Sequence, residues 1–499
     1  MLTPASTFRH ALPASVTAAP DSGDLLPKFL PSANDEGTEK HGNRLSFPKG
    51  FQWGTATASY QIEGAVGEEG RKPSIWDTFS HTPGMIDNGD NGDVACDFYH
   101  RYPDDIKLMA DLGIRHFRFS IAWARILPDG TGAVNEKGVD FYRKLADTLL
   151  SHGITPHATL YHWDLPQALQ TEYSGWQSRR VVADFGDYAS VVARRLGDRI
   201  TNWMTLNEIA SFTYNAYGVG DFPPEHAPGI HLKSRKEFNQ IVHNALLAHG
   251  TACLAIRASS PVKPSVSIAE NYHPFVPLIE TPGNIRAASL AFRRESPNGG
   301  LIIPILTGEY DKGWIEDQGD DAPDVVEGDM KIIHQPLDVL GSNCYTGAYV
   351  REAPNARGYE VIPFFPGFPR GNTSWLRIVP ESIYWAIRSI SDSAGRKDLP
   401  IFITENGCAD GAIADETGMV TDTDRIMYYR AYLTQVRRAI ADGYPVNGFF
   451  PWSLMDNFEW ARGFGQRFGM IHLDYATQKR TPKLSYAWYQ EAIRNNSLV

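Results

Sequence analysis

The chain has 499 residues, a formal net charge of −11 and an aromatic fraction of 12%. That length can bury a large core, and α/β barrels run past about 250 residues as one unit. The acidic balance lacks the basic patch that a nucleic-acid footprint needs, and no apolar run approaches the ~18 residues of a membrane span.

Residues 1–45 are rich in Pro, Ala, Ser, Asp and Glu and have no hydrophobic period, so they read as a flexible arm. Ala11–Ala19 behind Arg9 has the outline of a signal-peptide core, but Pro13 and Ser15 interrupt it, which argues against secretion. Cys96, Cys253, Cys344 and Cys408 show neither CxxC pairing nor metal-ligand spacing. They fit inert thiols in a reducing, cytoplasmic compartment.

From Ser46 onward, apolar strand-like runs alternate with helical stretches, the pattern of βα units on a parallel sheet. Strands are expected at Phe51–Thr57, Arg115–Ser120, Ile154–Leu160, Ile200–Asn207, Ser265–Glu270, Asp338–Asn343, Leu399–Glu405 and Val446–Trp452. Helices are expected at Tyr102–Leu112, Gly138–His152, Arg179–Leu196, Lys236–Ala258 and Asp424–Asp442. Several of these stop at a glycine, as at Gly113, Gly153 and Gly443, where a left-handed cap carries little strain. Eight such units favour a closed (β/α)8 TIM barrel, in one domain over 46–495. The rival, a doubly wound open sheet, needs a glycine-rich phosphate turn after its first strand, and Gly54–Thr55–Ala56–Thr57–Ala58 lacks the later glycines.

Polar residues gather just after the strands, on the face where such barrels build their sites. Gln61 and Glu63 follow the first strand, Arg118 and Ser120 end the second, and Tyr161, His162, Trp163 and Asp164 follow the third. Asn207 and Glu208 end the fourth, Asn343 and Tyr345 follow the sixth, Glu405 and Asn406 the seventh, and Trp452 the eighth, with Glu459 and Trp460 beyond. Ala353–Ser374 and Ala409–Thr423 read as long loops rimming this face. No internal repeat appears beyond the βα alternation.

The run Ile401–Phe402–Ile403–Thr404–Glu405–Asn406–Gly407 suits a buried parallel strand that ends in a carboxylate, and Trp203–Met204–Thr205–Leu206–Asn207–Glu208 repeats the pattern. An ionised side chain at such a place is costly without a polar cavity or a cationic partner. Two strand-end glutamates therefore suggest one shared site. A carboxyl pair in a polar, aromatic-lined pocket is what glycoside hydrolysis uses; a separation of about 5–5.5 Å gives retention and roughly 6.5–9.5 Å gives inversion. Arg118 is placed to keep one carboxylate ionised, while a drier, more negative setting would hold the other protonated towards a pKa of ~6–7. A structural ion-pair network at the barrel mouth is the competing reading of the same residues. His157, His162 and Asp164 do not form a zinc spacing, and no Gly-x-Ser-x-Gly elbow is present. Trp163, Trp375, Trp452 and Trp460 are candidates to stack on a pyranose, although any one of them taken singly is more often core.

The stretches Phe51–Gly64, Arg118–Phe119–Ser120, Tyr161–His162–Trp163–Asp164–Leu165–Pro166, Thr205–Leu206–Asn207–Glu208, Ile403–Thr404–Glu405–Asn406–Gly407 and Trp452–Trp460 together resemble glycoside hydrolase family 1, the β-glucosidase family. The likeness covers nearly everything from Phe47 to Gln490. It implies a retaining mechanism with Glu208 as acid/base and Glu405 as nucleophile. It further implies that Gln61, His162, Asn207, Trp452, Glu459 and Trp460 hold the glycone, that Tyr345 hydrogen-bonds the nucleophile, and that Trp375 and Phe468 line the entrance. Asn343 is counted with the substrate-binding residues and Arg118 as their support. No cofactor and no metal is expected.

Relatives that act on plant thioglucosides replace the acid by Gln, whereas this chain has Glu208. Relatives specific for 6-phosphosugars alter the neighbourhood of Glu459, which here would repel a phosphate. The expected substrates are therefore unphosphorylated β-glucosides or cello-oligosaccharides, with β-galactosyl and β-fucosyl groups as further glycones. This activity belongs to cellulose and polysaccharide degradation. A transglycosidase with the same covalent intermediate and a non-catalytic sugar-binding protein are the alternatives, and a homo-oligomer is compatible with the sequence. One departure from the family pattern is Ile209, where many members have Pro after the acid.

Overall fold

The structure is a computed structural model that describes residues 46–224, 234–294 and 297–499. Parallel strands β1 Gln52–Ala56, β2 His116–Ser120, β3 Thr155–Tyr161, β4 Asn202–Asn207, β5 Ser265–Asn271, β6 Leu340–Asn343, β7 Ile401–Asn406 and β8 Val446–Pro451 close into a barrel in sequence order. β8 returns to β1 through Gln52↔Gly448 and Trp53↔Phe449. The expected (β/α)8 architecture is therefore the observed one, with strand ends moved by one or two residues. The expected arm over 1–45 lies outside the described residues.

Between the strands run helices α1 Phe98–Leu112, α2 Glu136–Ser151, α3 Arg180–Leu196, α4 Arg235–Ser259, α5 Pro282–Arg294, α6 Glu381–Ala394 and α7 Thr423–Ala441, with α8 Leu484–Asn495 after β8. Gly113, Gly153 and Gly443 follow α1, α2 and α7 with φ of +89°, +69° and +90°, the left-handed conformation that ends a helix without a Cβ clash. α4 opens on a capping box in which Ser234 Oγ accepts from the Glu237 N–H and the Glu237 carboxylate accepts from the Ser234 N–H. The sequence reading names five helices and misses α5, α6 and α8.

Because helices cover the outside, both faces of the strands are buried, which is why they read as near-continuous apolar runs. The barrel floor is filled by His116, His157, Phe402 and Phe450, with His116 Nδ1 and His157 Nε2 3.0 Å apart. Gly54 is needed beside this layer, since a Cβ there would stand 2.5 Å from the Phe450 ring. At the other end the ladders become irregular, between Met204 and Asn207 in β4 and between Ile403 and Glu405 in β7. Such shifts re-aim side chains, and both fall next to the two glutamates.

The stretch Ala353–Ser374 is not all loop. Tyr359–Ile362 pairs antiparallel with Ala348–Glu352, which in turn pairs with Phe275–Pro277 in a small accessory sheet. Four residues, of which Glu360 and Val361 are exposed, carry too little hydrophobic alternation to stand out in sequence. Residues 409–422 have no helix or strand apart from the Asp410↔Arg467 bridge, and α7 begins at Thr423.

Candidate active site

β4 delivers Asn207 into the barrel mouth and then turns sharply. Glu208 has φ 50° and ψ 64°, a left-handed backbone uncommon for a residue with a Cβ, and caps the short helix Ile209–Thr213. Its N–H donates to Ala269 O at 2.8 Å, so the strained turn is anchored to β5. Glu405, at the end of β7, lies beside Asn343 of β6 in register.

Arg118, fully buried, reaches up the barrel axis from β2. It donates to Glu405 Oε1 at 2.5 Å and to Asn207 Oδ1 at 2.5 Å, and its Nε points at Thr159 Oγ1 at 3.2 Å and Met204 Sδ at 3.1 Å. Tyr345 donates its hydroxyl to Glu405 Oε2 at 2.7 Å. Both oxygens of Glu405 are thus held, one by a cation and one by a phenol. Among the described residues no cation stands at hydrogen-bond distance from Glu208; Asn343 Nδ2 donates to its Oε1 at 2.7 Å, and Asn343 is itself oriented by the Thr404 hydroxyl at 2.7 Å. Burial, then the negative charge of Glu405, pushes the Glu208 carboxyl up to about 7. Burial, then Glu405 and Glu208, pushes Glu459 up to about 8. His162 is driven well below the usual histidine range by burial and then by Arg118, so it stands neutral.

These groups open on a cavity of about 450 Å³. Of the residues singled out in the sequence, His162, Trp163, Asn207, Glu208, Tyr345, Trp375, Glu405, Trp452, Glu459, Trp460 and Phe468 line it. His162 stacks between Trp452 and Trp460, at 5.7 and 5.9 Å between ring centroids. Trp375 is 51% exposed and meets the edge of Tyr345 at the rim. Gln61, Asn343 and Arg118 stand behind the wall. Gln61 Nε2 donates to Phe458 O at 2.8 Å and to Asn457 Oδ1 at 3.0 Å, which fixes the amide so that Oε1 faces away from both acceptors. Gln61 Oε1, behind the wall, and His162 Nδ1, on it, are buried polar atoms without a protein partner among the described residues, acceptor and donor capacity kept beside the cavity.

Four strand-end residues point elsewhere. Glu63 binds Arg125 Nε at 3.1 Å and the Tyr142 hydroxyl at 2.6 Å. Ser120 Oγ accepts from the Ser59 N–H at 2.7 Å, Asp164 accepts from Ser59 Oγ at 2.8 Å, and Asn406 donates to Cys344 O at 2.6 Å. The pleat explains Asn406: successive residues face opposite sides, so it turns outward where Glu405 turns in. Sequence reasoning also misses Ser211, Asn215, Asp221, Phe222, Asn271 and Arg462, which line the cavity, and Glu270 behind Glu208. The i, i+4 spacing of Ser211, on the short helix after Glu208, and Asn215, in the π-helical turn Tyr214–Gly218 that continues it, is a signal for that pair. Among the described residues no three His, Cys, Asp or Glu side chains group as a metal-ligand set, and all four cysteines are buried and unpaired.

A parallel eight-stranded barrel carrying two unequal carboxyls at its C-terminal mouth defines a glycosidase-type site. The model of glycosyl hydrolase family 1 matches residues 43–498, and the chain belongs to that family. It is 43% identical to "Beta-glucosidase A" of Thermotoga maritima, covering 91% of this chain and 99% of that protein. It is 42% identical to the "Bifunctional beta-D-glucosidase/beta-D-fucosidase" of Bifidobacterium breve, over the same shares of both chains. The solved family 1 β-glucosidase of Thermotoga maritima in complex with glucoimidazole superposes with a TM-score of 0.82 at 40% identity, covering 91% of this chain and all of that one.

Proposed function

We propose that this family 1 hydrolase is a retaining β-glucosidase that removes terminal, non-reducing β-D-glucosyl groups by double displacement. The observation that carries the reading is the asymmetry of the two carboxyls: Glu405 is held by Arg118 and Tyr345, whereas Glu208 is dry and pushed up to about 7. In the first step a Glu405 oxygen attacks the anomeric carbon, the glycosidic C–O bond breaks, and its electron pair leaves with the aglycone oxygen, which takes the proton of Glu208. In the second step Glu208, now a carboxylate, takes a proton from water; the water oxygen displaces the Glu405 ester at the anomeric carbon and restores both groups. Arg118 and Tyr345 receive the negative charge that returns to Glu405 as the ester breaks.

Gln61, His162, Asn207, Trp452, Glu459 and Trp460 form the glycone end, with the unpartnered Gln61 Oε1 and His162 Nδ1 left for sugar hydroxyls. Asn343 steadies Glu208, and Trp375 and Phe468 take the aglycone at the entrance. β-Fucosides and β-galactosides are further substrates, and cello-oligosaccharides are natural ones, in keeping with the Bifidobacterium breve relative and with a relative from Thermotoga neapolitana named 1,4-beta-D-glucan glucohydrolase. The catalytic domain spans 46–495. A cytoplasmic location agrees with the four unpaired, buried thiols.

A chromogenic aryl β-glucoside assay tests the reading. Wild type should turn over, and Glu405→Ala should lose several orders of magnitude in rate because the covalent route is gone. No turnover by wild type, or undiminished turnover by the variant, would reject it. Alkyl glucoside dominating over free glucose in added alcohol would make the protein a transglycosidase instead.

A further inference from the structure

The turn that presents Glu208 is held from behind by another buried carboxyl. Glu270, one residue before the end of β5, has no exposed surface. Its Oε2 accepts the Ile209 N–H at 2.8 Å, and its Oε1 accepts the N–H groups of Ala210 at 3.2 Å and Asn271 at 3.0 Å. Both oxygens are therefore occupied by backbone donors, and among the described residues Glu270 donates to no acceptor. The first two donors belong to the residues directly after Glu208, at the start of a short helix whose first N–H groups have no partner within the helix. Glu208 itself sits in a left-handed conformation, φ 50°, that its own side chain does not stabilise by capping. A conformation of this kind persists where the surroundings over-determine it.

Ile209 makes this contact available. A proline at this position would have no N–H to give. Here the backbone donor and the buried carboxyl occur together, as donor and acceptor of one bond.

We propose that Glu270 is a positioning residue for the acid/base Glu208: by gripping the Ile209 and Ala210 N–H groups it fixes the turn that aims the Glu208 carboxyl at the glycosidic oxygen. This inference rests on the role of Glu208 given above. It assigns Glu270 no contact with substrate. Losing the clamp loosens the aim of the proton donor and leaves Glu405 and the glycone wall intact. Proton donation matters most when the departing aglycone is a weak acid, so the damage has a chemical signature that general loss of fold lacks.

The test uses the full chain and two aryl β-glucosides, phenyl β-glucoside with a weakly acidic leaving phenol and dinitrophenyl β-glucoside with a strongly acidic one. Glu270→Leu should lower kcat/KM for the phenyl glucoside about 10²-fold, the scale of a misplaced catalytic group, and for the dinitrophenyl glucoside less than about 10-fold. Combining Glu270→Leu with Ile209→Pro should recover a large part of the loss, because proline removes a buried N–H that leucine leaves unpaired, and proline is tolerated at the first position of a helix. Equal losses on both substrates, strictly additive effects of the two changes, or wild-type rates in Glu270→Leu would each overturn the proposal. Glu270→Gln, closer in size, is read the same way should Glu270→Leu not fold. Glu208→Gln is run alongside: if it lacks the leaving-group split, the acid/base assignment fails, whereas a split there with none in the Glu270 variants defeats the positioning role alone.

Discussion

Glu208 and Glu405 share a residue type, a depth of burial and a place at a strand end, and they differ in the atoms around them. Arg118 and Tyr345 take both oxygens of Glu405, while Glu208 faces an amide and the charge of its neighbour. With Glu208 pushed up to about 7, the form able to donate a proton is lost as pH rises, so kcat/KM should fall about tenfold per unit above pH 7. A basic limb two units higher in a pH–rate profile would contradict the assignment. Replacing Glu405 by Gln removes one cause of the shift and leaves burial in place. Titration of Glu208 in Glu405→Gln, followed by carboxyl carbon NMR, should give a value below 7 and still above the ordinary 4.5. The same shift acts on stability. A carboxyl that binds its proton more tightly when folded favours the native state at low pH and loses that advantage as pH climbs from 4.5 to about 7. Glu208→Gln removes this penalty and should raise the unfolding free energy near pH 8 by up to about 3 kcal/mol, an upper bound from the size of the shift. Unchanged or lower stability in urea unfolding would show that the carboxyl is not strained in the fold.

The loops after β7 and β8 carry Phe468 and the Trp452–Trp460 wall, and beside the Asp410↔Arg467 backbone bridge their contact with one another is ionic. Lys483 Nζ lies 2.7 Å from Asp410 Oδ2 and 2.8 Å from Asp456 Oδ1; Arg425 pairs with Asp422 at 2.8 Å and with Asp410, and donates to Phe468 O at 2.6 Å. All five charged groups are buried. Burial of such a network gives little net stability, but breaking it leaves charges without partners. Lys483→Met should therefore cost about 3–5 kcal/mol in chemical unfolding, with a raised KM as Phe468 loses its support. A loss under about 1 kcal/mol, the level of an exposed pair, would mean that the network is solvated. None of these partners announces itself in sequence, because Asp410, Asp456 and Lys483 sit in segments without periodicity. The accessory strand Tyr359–Ile362 is hidden for a related reason: one edge of four residues gives period-two alternation no room to show.

At the scale of the whole barrel, closure depends on the last helix. Tyr489 donates to Gly54 O at 3.0 Å and Phe449 O at 3.3 Å across the β1–β8 seam, and Trp53 Nε1 reaches Asn496 Oδ1 at 2.9 Å. A chain ending before Leu484 should lose cooperative unfolding by circular dichroism, since it uncovers that seam; a sharp transition retained would contradict this. The barrel itself was legible because strands buried on both faces read as apolar runs, and Glu208 and Glu405 were legible because a carboxylate ending such a run is costly without a purpose. Glu63, Ser120, Asp164 and Asn406 show the limit of that logic: position at a strand end does not tell which side of the sheet a residue faces. Glu270 escaped notice because its partners are backbone N–H groups of a distant segment, which no side-chain pattern reveals. In the proposed mechanism two acids meet across one sugar, with Glu405 forming the covalent bond. Incubation with a 2-deoxy-2-fluoro-β-glucosyl fluoride, followed by peptide mass spectrometry, tests this directly. It should yield one fluoroglucosyl group on the peptide that holds Glu405, and a label on another residue, or none while the substrate is consumed, would contradict it.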